Sequence, residues 1–139
     1  MRKMMKLAAP LAGAAALVAV LAGPSTADGA MTIGGTASLV AKGAGVLVPV
    51  EVTCGATGPS PMPSTVFVQL RQRSGNRLAE GNGSAPLQCD GTAHTVEALV
   101  NAEGAPFKPG VALASASGFV CDMFGCYSMF DTADVRIRN

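Results

Sequence analysis

The sequence predicts an all-β protein: about seven short antiparallel strands, stacked as two sheets face to face and held by two disulfides. Three observations lead there. Beyond residue 28, apolar residues recur with a period of two and not 3.6, the mark of half-buried strands. Gly, Pro, Ser and Thr interrupt that pattern about every eight to twelve residues, as turns between short strands do. The 139 residues include four cysteines, an even number, all in that same part of the chain.

The N-terminus is set apart. Arg2, Lys3 and Lys6 precede an apolar run from Leu7 to Ala22, and the stretch after it places Ser25 and Ala27 where a signal peptidase reads small residues. The run falls short of the ~20 apolar residues of a spanning helix and ends in Gly23-Pro24. Residues 1–27 are therefore expected to be an export signal, and residues 28–139 a single secreted domain without a membrane span. Removing the signal leaves seven Lys and Arg against nine Asp and Glu, a net charge of −2. Nucleic-acid binding is excluded, because it normally shows as a dense basic excess.

An opening strand is expected near Met31–Val40. In Val46–Cys54 the valines 46, 48, 50 and 52 share one face with Cys54, while Leu47, Pro49, Glu51 and Thr53 share the other. Pro49 removes a ladder hydrogen bond, so the strand must be an edge there or carry a bulge. Residues 55–64 hold three prolines and read as an extended connection. Val66, Val68 and Leu70 then point inward, with Phe67, Gln69, Arg71 and Arg73 outward. Ser74-Gly75-Asn76 is a hairpin turn, followed by short strand pieces at 77–81 and 85–89. Val96, Ala98 and Val100 face inward on the next strand, and residues 101–110 form a connection. On the penultimate strand Ala112, Ala114 and Ala116 face the core, leaving Leu113, Ser115, Ser117 and Phe119 outside. Ala133, Val135 and Ile137 face inward on the last. This set suits an immunoglobulin-like antiparallel β-sandwich, with a closed barrel as the second choice.

In an oxidising compartment the four cysteines read as two disulfides. Of three pairings, Cys54–Cys89 with Cys121–Cys126 is expected, because a four-residue gap across a tight turn brings its own ends together. Metal binding is disfavoured: the 121–126 spacing is not the usual two-residue knuckle, and His94 is the lone histidine. No cofactor is expected.

Catalytic chemistry is sparse. Asp90 precedes His94 by four residues and Glu97 follows it by three, but in a strand Glu97 points to the opposite face. No Gly-x-Ser-x-Gly elbow is present. The protein is expected to be non-enzymatic, with a hydrolase built on His94 as the remote alternative. Arg71, Arg73, Arg136 and Arg138 could form a short basic stripe toward an envelope polyanion.

The aromatic residues are the unusual feature. Four of the six, Phe119, Phe124, Tyr127 and Phe130, lie within twelve residues, more than a turn requires. Two arrangements follow. Phe67, Leu113 and Phe119 could floor an apolar groove walled by Met123, Phe124, Tyr127 and Met129, taking a small apolar ligand or a cell-envelope component. Alternatively, the rings beside Cys121–Cys126 fold back and plug the end of the domain.

The segment 89–138, with 70–84, resembles small secreted actinobacterial proteins of unknown function, a resemblance that implies export and no activity. The Cys-x4-Cys staple at 121 and 126 is more distantly similar to that of the neocarzinostatin-type apoproteins. That likeness implies an immunoglobulin-like sandwich with a ligand groove beside the staple. The long span between Cys54 and Cys89 departs from those proteins, whose other disulfide closes a short hairpin.

Overall fold

A computed structural model describes residues 29–56, 63–122 and 125–139. The expected export signal, and Met123 and Phe124 of the expected groove, lie outside them. Among the described residues eight strands form: β1 Ala30–Ile33, β2 Thr36–Val40, β3 Gly45–Thr53, β4 Thr65–Ser74, β5 Arg77–Pro86, β6 Ala93–Gly104, β7 Gly110–Asp122 and β8 Gly125–Arg138. A short 3-10 turn, Ala41–Gly43, links β2 to β3.

The chain is all-β, but the strands make one sheet that closes on itself. Its order β3-β2-β8-β7-β4-β5-β6 returns to β3 through the β3–β6 pairing, giving a seven-stranded barrel. β1 pairs with the far half of β3, and β2 joins β8 as the one parallel pair. Two separate sheets were expected; β5 is where the difference arises. The pieces at 77–81 and 85–89 are not two strands, since residues 77–86 run as one that pairs with β4 on one side and β6 on the other. Its inward positions are Ala79, Gly81, Gly83 and Ala85. A Cβ at Gly81 or Gly83 would lie 2.2 Å from the carbonyl oxygen of Asn101 or Leu99. These glycines let β5 cross tightly over β6 and turn the corner that closes the barrel.

Pro49 also finds its place. Its carbonyl accepts a hydrogen bond from Gly34 N at 2.8 Å, so its missing N–H would have pointed to the same neighbour. That is where the N-terminal strand breaks between β1 and β2, and a side chain on Gly34 would strike the proline ring at 2.8 Å. The expected irregularity lies in the partner strand.

The core is one cluster. Val46, Val48, Val50 and Val52 from β3 meet Val66, Val68 and Leu70 from β4 and Val135 and Ile137 from β8, each essentially without exposure. Each such side chain contributes about 1.5–3 kcal/mol of hydrophobic stabilisation. One end is closed by Phe107 in the β6–β7 connection, at 1 % exposure. Buried Gln72 holds that connection as a second backbone would: its Oε1 accepts from Lys108 N at 2.8 Å and its Nε2 donates to Lys108 O at 2.7 Å. Gln72 keeps the parity of Val66, Val68 and Leu70, and that parity alone marks this polar residue as inward-facing. Both expected disulfides form, Cys54–Cys89 and Cys121–Cys126, consistent with an extracellular protein.

Candidate functional site

The outward residues of β8, β7, β4 and β5 fall into cross-strand rows. Phe130, Ser117, Phe67 and Ser84 are consecutive partners across the four strands. The next row along is Thr132, Ser115, Gln69 and Asn82. With strands about 4.8 Å apart, Phe130 and Phe67 stand roughly 10 Å apart with Ser117 between them. Between those rings and over the polar row lies an open groove of about 510 Å³, lined among others by Phe67, Gln69, Asn82, Ser115, Ser117 and Phe130. Phe119, two residues along β7 on the same face, is also exposed.

The expected site residues divide. Phe67, Leu113 and Phe119 are exposed on this outer wall. Met129 is not: at 4 % exposure it belongs to the core, beside Gly118 and Met31. Tyr127 is half-buried, packs against the core, and accepts a hydrogen bond on its hydroxyl from Gly55 N at 3.2 Å. Parity explains the split, because β8 alternates and 127, 129, 131, 133, 135 and 137 share the inner side. The groove expected from Phe67, Leu113 and Phe119 with Tyr127 and Met129 as walls therefore does not form as a unit: Tyr127 and Met129 turn to the inner side, and of the expected floor Phe67 lines the groove while Leu113 and Phe119 stand exposed elsewhere on the same face. Phe130, not among the expected groove residues, is at 75 % exposure the most exposed large apolar side chain described. The same parity that puts Val135 and Ile137 inside puts Phe130 and Thr132 outside, so the signal was present.

The polar row is partly satisfied within itself. Gln69 Nε2 donates to Asn82 Oδ1 at 3.4 Å, Asn82 Nδ2 to Glu103 Oε1 at 3.1 Å, and Thr132 Oγ1 to Ser115 Oγ at 3.5 Å. Asp131 borders the groove, but its Oδ2 accepts Ile33 N at 2.7 Å, fastening β1 to β8. β4 and β8 do flank β7, as the basic stripe requires. Arg71, however, forms an ion pair with Glu80 at 3.2 Å and lies in a row with Asp134, so the stripe is interrupted.

His94 is not isolated in solvent. Its Nε2 lies 2.9 Å from Asp90 Oδ1 and 3.1 Å from Thr92 Oγ1. The Thr92 hydroxyl and amide both donate to that same Asp90 oxygen, at 2.7 and 2.9 Å. Led by the Thr92 hydroxyl, then the Thr92 amide and His94, these bonds lower the Asp90 carboxyl to about 2. A hydrolytic relay needs one imidazole nitrogen toward a nucleophile and the other toward an orienting acid. Here one nitrogen faces both groups and the hydroxyl proton already goes to the carboxylate, the geometry of a capped turn.

Set against known proteins, the chain matches no family model, no curated protein and no solved structure.

Proposed function

We propose that this chain is a secreted, non-catalytic binding module whose ligand sits in the groove on the outer wall of β8, β7, β4 and β5. One observation carries the reading: Phe67 and Phe130 stand exposed on either side of Ser117, over a groove of about 510 Å³, on a wall whose inner face already fills the core. Exposed apolar side chains gathered on one surface of a small protein mark a place where something docks. Export is supported by the N-terminal sequence and the two disulfides. The Greek-key succession β3-β6-β5-β4-β7-β8 is an order that immunoglobulin-like sandwiches also use, and with the late staple it supports the distant likeness to the neocarzinostatin-type apoproteins.

The test is titration of the oxidised protein with an anionic naphthalene dye that fluoresces in apolar surroundings. Saturable binding is expected, lost in Phe67→Ser/Phe130→Ser and retained in a control such as Val111→Ser, exposed at the far end of β7 from Ser117. Dye binding unchanged by the double substitution would remove the groove from consideration.

A further inference from the structure

Resting on that reading, we infer that the ligand of the groove is a neutral saccharide, a ring with one apolar face and a rim of hydroxyls. The two rows of the site ask for those two properties side by side. Phe130 and Phe67 offer ring faces or edges about 10 Å apart across a serine floor, against which the C–H face of a sugar packs. One step along the strands, about 7 Å away, the side chains become Thr132, Ser115, Gln69 and Asn82 without exception, all uncharged and all able to donate and accept. A wholly apolar ligand long enough to fill the groove would strip water from that row and return no hydrogen bond, which costs affinity.

A charged ligand is matched no better. Among the described residues, Asp131 lines the groove but turns its carboxylate to the inner side, where it accepts the Ile33 amide, Glu103 is bonded to Asn82, and the nearest guanidinium on β4, Arg71, is held by Glu80. The Gln69 carbonyl oxygen makes no bond among the described residues, and the Gln69–Asn82 contact at 3.4 Å is long enough to be exchanged for a stronger one. Amide and hydroxyl groups beside aromatic rings supply both orientation and contact area to a polyol.

The experiment is nitrogen-15 NMR titration with a panel of uncharged tetrasaccharides: cellotetraose, maltotetraose and the β-linked N-acetylglucosamine tetramer. At least one should shift the amides of residues 67–69, 82, 115–117 and 130–132 in a saturable way. Gln69→Leu/Asn82→Leu should weaken that saccharide about tenfold or more and leave the naphthalene dye bound as before. Phe67→Ser should weaken both. If the dye binds in the groove and no tetrasaccharide shifts those amides, the saccharide assignment falls while the groove stands. Equal loss of dye and saccharide in the Gln69/Asn82 variant would also overturn it, and absence of binding by every probe removes both readings.

Discussion

Strands β3 and β7 lie in the same barrel and face the same core, yet they distribute bulk in opposite ways. On β3 the fully buried residues are Val46, Val48, Val50 and Val52, and the outer face carries Leu47, Pro49, Glu51 and Thr53. On β7 the inner positions are Ala112, Ala114, Ala116, Gly118 and, at its end, Val120, while the outer ones include Val111, Leu113 and Phe119. Their crosslinks differ as well. Cys54, just after β3, joins Cys89 across 35 positions, whereas Cys121 at the end of β7 joins Cys126 within its own hairpin. Packing explains β3 completely. It does not explain Val111, Leu113 and Phe119 of β7, which stand outside the core, and that excess is what points to the proposed recognition.

Several substitutions break or sharpen this contrast. The largest effect is expected at the β3 crosslink: replacing Cys54 and Cys89 by Ser should cost about 4 kcal/mol in urea unfolding, against about 2 kcal/mol for Cys121 and Cys126, following the length of loop closed. Next comes the inner face of β7. Ala114→Leu inserts three carbons where Leu70 and Ala133 are its strand partners, and should cost about 3 kcal/mol, while the adjacent Leu113→Ser should stay within about 0.5 kcal/mol. If the two were equally damaging, the division of β7 into a packing face and a free face would be wrong. Phe67→Ser and Phe130→Ser should likewise leave chemical denaturation nearly unchanged, within about 0.5 kcal/mol each.

The smallest effect lies at the start of β6, the partner of β3. Asp90 is ordinarily near 3.8 and is lowered to about 2 in the folded chain. A lowered carboxyl stabilises the fold fully above its unfolded value and loses that contribution as pH falls through the folded value. Stability should therefore decline slightly between about pH 4 and pH 2, and Asp90→Asn should flatten that decline in acid-unfolding curves. The group is fully exposed, so the change will be modest.

Much of the fold was legible because alternation in β3, β4, β7 and β8 is strict, and parity alone assigns inside from outside. What parity could not supply was closure. Gly81 and Gly83 look like strand breakers in sequence, and only their approach to the β6 carbonyls shows that they bend one continuous strand. Phe107 was likewise hidden, because a loop phenylalanine carries no periodic signal that it plugs an end. For the site, the outward positions of Phe67 and Phe119 could be read directly, but the pairing of Phe130 with Ser117 depends on the length and register of β8. On β8 the pairing with β7 runs from Gly125 to Ile137, far beyond residues 132–138, whose alternation is apparent in sequence.

The most direct measurement is the location of the bound dye by nitrogen-15 NMR shift mapping on the wild-type oxidised protein. The account predicts shifts concentrated on Phe67, Ser115, Ser117 and Phe130 and their strand neighbours. Shifts centred instead on Tyr127, Met129 and Gly55, at the closed end of the barrel, would contradict it.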